Sequence, residues 1–147
     1  MTEVERIADQ LHRSYYGEAW HGPALRELLE DVTWEQAARR KIPGAHTIWE
    51  LVLHIAAWES AATAALSGAG MPSLPWEGDW PAVGGSWEDA QKSLRSATDE
   101  LESRIRKLPD SKLAETVPGR EYSFYFLLHG VVQHNLYHAG QIALLKK

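Results

Sequence analysis

The chain contains no cysteine among its 147 residues. This absence excludes disulfide bonds, thiolate metal ligands and a cysteine nucleophile, so any metal site must use nitrogen or oxygen ligands. The sequence also has no apolar run approaching the roughly 18 residues that a membrane helix needs. Residues 1–6 are acidic and have no apolar core, unlike a secretory signal peptide. We therefore expect a soluble cytoplasmic protein.

Positive charge is also scarce, since the formal net charge is −5. A field of this sign repels the phosphate backbone of nucleic acids. The densest basic stretch is the short cluster Arg39, Arg40 and Lys41, which we interpret as a solvated turn. We therefore expect a small-molecule substrate as partner, and neither nucleic acid nor a membrane. The length suits one domain, residues 1–147.

Apolar residues recur at steps of three and four in four long segments, which is typical of helices. The segments run through residues 4–15, 48–66, 87–108 and 124–147. Pro23 allows a further short helical piece before the second of them. Thr47 followed by Glu50 predicts a capping box, and Ser86 and Ser123 predict the starts of the last two helices. The pattern predicts an all-α protein, a four-helix bundle.

Residues 68–85 carry glycine, proline and tryptophan but no helical period. A long loop inside a compact domain is often functional. Its tryptophans allow two interpretations, a lid packed over the end of the bundle or a segment that contacts substrate. The sequence favours neither over the other.

The last helix carries polar residues on its apolar seam. His134, His138 and Gln141 continue the three-and-four spacing at positions where a bundle normally has leucine or isoleucine. A buried polar ring without a partner costs on the order of 1–3 kcal/mol. Side chains four residues apart lie on one helix face, so two imidazoles can converge on one metal ion. The pair alone is equally compatible with a hydrogen-bonded core.

His54 is the candidate third ligand, because its position borders the core face of the second long helix, between Leu51 and Trp58. Alone, a histidine there is more often a satisfied core residue. Together with His134 and His138 it predicts a three-histidine metal site. The remaining histidines are not expected to be ligands: His12, His21, His46 and His129. Of these, His46 is the least firmly excluded, because a loop histidine can fold back.

Two stretches, residues 47–55 and 133–142, carry a family resemblance: they place one histidine, His54, on the second helix and the pair His134 and His138 on the last. The sequence resembles the DinB superfamily, which includes YfiT-like proteins and thiol-dependent transferases, over nearly its whole length. The resemblance implies a four-helix bundle, commonly a homodimer, with a divalent ion, zinc or nickel, held by three histidines and water. It also implies transfer or isomerisation reactions with low-molecular-weight thiols such as bacillithiol or mycothiol.

The resemblance favours a thiol-dependent S-transferase that acts on a small molecule, with a metal-dependent hydrolase as the alternative. A non-catalytic metal- or ligand-binding bundle and a metal-free polar core also stay open. The catalytic group is not identified: Gln141 is a possible contact to water or substrate, or a hydrogen-bond partner behind the ligands. Glu50 and Glu59 are possible bases, but we interpret them rather as capping or surface carboxylates.

Overall fold

The computed structural model describes all 147 residues, and its elements are all helical. The α-helices are α1 (Glu3–Tyr16), α2 (Leu25–Leu29), α3 (Trp34–Ala38), α4 (Ile48–Leu66), α5 (Trp87–Arg106) and α6 (Phe124–Leu145). A 3-10 helix, Asp110–Ala114, precedes α6. The four long helices confirm the all-α bundle predicted from the sequence. None of the helices has the length and apolar character that crossing a bilayer requires.

The predicted helix starts are confirmed by their hydrogen bonds. The Glu50 amide donates to Thr47 Oγ1 at 3.1 Å, and the Thr47 amide donates to Glu50 Oε2 at 2.8 Å. Ser86 and Ser123 cap α5 and α6 without the reciprocal bond: the Oγ of each serine accepts from a free amide of the first turn. At the other end of α4, Gly68 has φ +101, a conformation that favours glycine and ends the helix.

Two short helices were not predicted. The α3 helix and the 3-10 helix each span five residues, which is too short for an apolar period to be visible. The α3 helix is nevertheless well defined, because Thr33 accepts from the Gln36 amide at 3.3 Å and Gln36 Oε1 accepts from the Thr33 amide at 2.9 Å. It positions the basic cluster at its end, where Arg40 pairs with Glu50 at 2.7 Å.

The four long helices form a closed ring in which each packs against two others. Helix α4 packs against α5 and α6, and α1 packs against the same two. The apolar interior is filled by side chains such as Leu11, Leu94 and Leu101, which are fully buried. This arrangement brings α4 directly against α6, the two helices that carry the predicted metal ligands.

A polar network crosses the apolar interior and joins all four long helices. Asn135 Nδ2 of α6 donates to Glu59 Oε1 of α4 at 2.8 Å and to Ser14 Oγ of α1 at 3.3 Å. Thr98 Oγ1 of α5 donates to Glu59 Oε2 at 2.8 Å. Glu59, Asn135 and Thr98 are fully buried.

The surface interpretation of Glu59 is therefore wrong, whereas Glu50 is the capping carboxylate that the sequence predicted. Glu59 is tolerated inside because two hydrogen bonds satisfy its oxygens. Asn135, which lies off the histidine seam, is also a buried residue that the sequence did not single out.

Candidate metal centre

The three predicted histidines meet between α4 and α6. His54 Nε2 lies 3.0 Å from His134 Nε2, and His138 Nε2 lies 3.1 Å from the same atom. One ligand atom from each of the three residues lies within 4.8 Å of the other two. His54 and His138 are buried and His134 is half-buried, so the cluster is withdrawn from solvent but not sealed.

The opposite ring nitrogens of two of these histidines are held by oxygen atoms. His54 Nδ1 donates to the Asp79 backbone carbonyl at 2.6 Å, and His138 Nδ1 donates to Gln141 Oε1 at 2.7 Å. A carbonyl oxygen only accepts, so each Nδ1 carries the proton and each Nε2 presents a lone pair. This type of contact fixes the tautomer and ring orientation of metal-binding histidines.

The contacts among the Nε2 atoms cannot all be hydrogen bonds. A single proton on His134 Nε2 can be donated to only one of the two neighbouring Nε2 lone pairs, and the other is left without a donor. A cation shared by the three nitrogens satisfies all of them. Bonds of about 2.0–2.1 Å to imidazole at a tetrahedral angle separate two ligand atoms by about 3.3 Å, close to the 3.0 and 3.1 Å between these Nε2 atoms. The donor set therefore fits a divalent ion.

Burial keeps the three imidazoles neutral. It is the main cause that lowers the pKa of His54 and of His138 below their ordinary value. The pKa of His134 falls to about 4, first through burial and then through the neighbouring His138 and His54. Because only a neutral imidazole offers a lone pair, the cluster is ready to bind a cation at neutral pH.

The long loop between α4 and α5 packs against the cluster. Besides the Asp79 carbonyl, the Asp79 side chain accepts from Trp58 Nε1 at 2.7 Å. The Trp80 ring stacks on His54 with centroids 3.8 Å apart, and His46 stacks on the other face of Trp80 at 3.4 Å. The loop thus orients one histidine and covers one side of it.

The comparison with protein families agrees with this arrangement. The sequence profile of the DinB superfamily matches residues 19–142. The chain belongs to the DinB superfamily. Members of this superfamily are generally metal-dependent enzymes. Neither the curated proteins nor the solved structures with which the chain was compared contain a match.

In this DinB protein the other histidines lie outside the cluster. His46 is separated from His54 by the Trp80 ring, and its Nδ1 contacts Glu50 at 3.1 Å. His12 pairs with Glu102 at 2.9 Å, and His129 lies 3.8 Å from Glu3. His21 is exposed. No further histidine and no carboxylate joins the three as a potential ligand.

Two residues of the site were missed by sequence reasoning, Asp79 and Trp80. Asp79 acts through its backbone carbonyl, a group that every residue carries, so no sequence signal could have identified it. Trp80 lay within the loop whose role the sequence left open. Gln141 occupies the position predicted for it, as a hydrogen-bond partner of His138. Its contact with bound water or substrate stays a prediction.

A cavity of about 340 Å³ opens beside the cluster. His54, His134 and Asp79 form its polar end. The rest of its wall is mainly apolar and comes from α6, from Tyr122 just before α6, from Trp58 and from the loop residue Met71. This volume lies at the lower end of the range for small-molecule sites.

Proposed function

We propose that this chain is a metal-dependent enzyme in which His54, His134 and His138 hold a divalent ion, zinc or nickel. Its reaction is the transfer of a low-molecular-weight thiol to a small molecule. The observation that carries the proposal is the convergence of three Nε2 lone pairs whose rings are oriented from behind.

The number of ligands supports a catalytic role rather than a structural one. Structural zinc sites are normally closed by four protein ligands, whereas catalytic sites keep a position open. Here the cluster ends at three residues. Asp79 does not close it, because the Asp79 side chain lies 3.3 Å from His54 Nδ1, the ring nitrogen that points away from the other histidines.

The chain's own residues hold and orient the site. Asp79 and Gln141 keep the Nδ1 protons of His54 and His138 in place, and Trp80 shields one face of His54 from water. When bound, a divalent ion supplies Lewis-acid chemistry, which lowers the pKa of a thiol or of water at neutral pH. The chain has no cysteine, so the sulfur must arrive with a cosubstrate.

The first experiment measures metal content by mass spectrometry on protein purified without an affinity tag or added metal. We expect about one zinc or nickel ion per chain, and its loss in the double variant His134→Ala/His138→Ala. His129→Ala is the matched control, because His129 lies on the same helix but outside the cluster. Circular dichroism checks that each variant stays helical. A wild type that binds no ion even after reconstitution would refute the site.

The second experiment separates transfer from hydrolysis. The metal-loaded protein is given 2-mercaptoethanol and 1-chloro-2,4-dinitrobenzene. The sulfur forms a bond to the ring carbon, chloride leaves with the bonding pair, and the thiol proton passes to solvent. We expect chloride release that depends on both metal and thiol. Release of 4-nitrophenol from 4-nitrophenyl acetate without a thiol would instead favour the hydrolase alternative.

The assembly and location inferred from the sequence remain part of this proposal. We propose one domain over residues 1–147, a cytoplasmic location and a homodimer. Three exposed apolar side chains lie on one face of α6 at steps of eleven and seven residues, a spacing that returns to the same side of a helix. They are Phe126, Tyr137 and Leu144. A homodimer would bury this face, and sedimentation velocity measures whether it forms.

A further inference from the structure

The cavity beside the histidine cluster has two chemically different ends. At one end lie His54, His134 and Asp79. Its other end is apolar and includes Met71, Leu127 and Val131, all buried. A molecule that fills the whole cavity therefore places a polar group at the histidines and an apolar body against α6.

The space for this apolar body exists because residue 130, on the α6 wall of the cavity, is a glycine; we call this space the Gly130 cavity. Gly130 lies four residues before His134, so the two positions face the same side of α6. A Cβ atom built at Gly130 would have nothing within 4 Å. The side chain of His134 leans toward the N-terminus of its helix and thus toward this space. Because position 130 has no side chain, the wall beside His134 stays open.

The charge of the lining indicates what this space accepts. No lysine or arginine lines the cavity, and its one carboxylate belongs to Asp79. An anionic group buried at the apolar end would find no cation to pair with, because the proposed ion lies at the opposite end, and such burial is costly in a largely apolar site. Aromatic rings of Trp58, Tyr122 and Phe126 instead offer flat apolar contact.

We infer that the Gly130 cavity is the acceptor site of this protein, and that it takes the uncharged aromatic or alkyl body of a small substrate beside the three histidines. This inference rests on the proposed function only for what binds at the polar end of the cavity. The apolar end is a property of the folded chain whether or not an ion is bound. A strongly anionic thiol does not occupy this cavity with its charged part.

The test uses three probes that differ in their apolar ring, thiol and charge. Toluene has the apolar ring alone, phenylmethanethiol adds a thiol, and 2-mercaptoethanesulfonate has the thiol with an anion in place of the ring. Binding is followed by NMR titration of the methyl signals of Met71, Leu127 and Val131, with and without zinc. We expect toluene to shift these signals in both forms. Phenylmethanethiol should bind more tightly than toluene only when zinc is present. The affinity for the sulfonate should be lower than that for phenylmethanethiol by about tenfold or more.

Gly130→Leu fills the cavity and should weaken toluene binding by about tenfold or more. Gly140→Leu is the matched control, because Gly140 is also on α6, is exposed and has nothing within 4 Å of a built Cβ. Sedimentation velocity on both variants shows whether assembly has changed.

A second variant, Phe126→Ala, removes an exposed ring of the wall without touching the core and should also weaken toluene binding. Tyr125→Ala, at an exposed neighbour outside the wall, should not.

The possible failures are distinguishable. If no ion binds but Gly130→Leu abolishes toluene binding, the proposed metal function fails and the cavity stands. If an ion binds and toluene binding is the same in wild type and Gly130→Leu, the acceptor site is refuted and the metal function stands. Equal affinity for the sulfonate and phenylmethanethiol would refute the selection against anions. Toluene shifts that appear only on dilution to the monomer would show that a second copy of the chain occupies the cavity, which also overturns the inference.

Discussion

Glu59 makes the stability of this protein dependent on pH. Its carboxyl group is fully buried between α4, α5 and α6. Burial raises the pKa of Glu59 from its ordinary value of 4.5 to about 7, although the hydrogen bonds from Asn135 and Thr98 oppose the change. The perturbation is Glu59→Gln, which keeps the shape. Its amide can accept from Asn135 and donate to Thr98 Oγ1, whose own proton goes to the Leu94 carbonyl.

The sign and size of the effect follow from where the proton is held. Below pH 4.5 both the folded and the unfolded chain hold the Glu59 proton. Between 4.5 and about 7 only the folded chain holds it, so the free energy of unfolding falls as pH rises and levels off above this window. At about 1.4 kcal/mol per pH unit, the wild type loses about 3 kcal/mol relative to Glu59→Gln. This corresponds to roughly 6–12 °C in Tm for a chain of this length.

The assay is urea unfolding of wild type and Glu59→Gln at a series of pH values from 4.5 to 8. Their difference removes the contributions of the other titratable groups, which the two proteins share. We expect the advantage of Glu59→Gln to grow across the series. In the control Glu50→Gln, hydrogen bonds from Arg40 and Thr47 outweigh burial and lower the pKa of the native carboxylate below its ordinary value of 4.5. Its linkage effect therefore lies below this pH series, and the difference between wild type and Glu50→Gln should stay nearly constant from pH 4.5 to 8. A difference between wild type and Glu59→Gln that changes by less than about 1 kcal/mol between pH 4.5 and pH 8 contradicts the reasoning.

Two further predictions concern the helix start and the ligand orientation. Thr47→Ala removes the acceptor of the Glu50 amide and should lower the free energy of unfolding by about 1 kcal/mol, measured by urea unfolding; an unchanged midpoint would contradict it. Gln141→Leu removes the acceptor of His138 Nδ1 and should weaken metal binding about 10–100-fold in competition with a chelator. Equal affinity would show that Gln141 does not orient the ligand, and Gln133→Leu, at an exposed position on the same helix, is the control.

The helices and the three histidines could be predicted because each leaves a local pattern. Thr47 and Glu50 sit at capping spacing, and His134 and His138 sit at a spacing that puts both on one helix face. His54 was predictable because its position borders a face already defined by apolar neighbours. These signals depend on residues close together in the chain, which is why they could be read without a structure.

The polar network was missed because residue type was given more weight than position. Glu59 lies four residues after Ile55 and three before Ala62, both buried, so its spacing indicated the core face. Asn135 lies seven residues from both Leu128 and Ile142, on a second buried seam of α6. A carboxylate and an amide are buried only when partners are available. Those partners come from other helices, which no local pattern reveals.

The network and the metal site are coupled by the positions of their residues. Glu59 lies five residues after His54 on α4, and Asn135 directly follows His134 on α6. The 2.8 Å hydrogen bond between Asn135 and Glu59 therefore fixes how far α4 can slide or rotate against α6. A shift of one residue along either helix would break it and would separate His54 from His134 at the same time. An unsatisfied buried carboxylate costs more than an ordinary packing defect, so the polar core holds the two helices in the register that the three Nε2 atoms need.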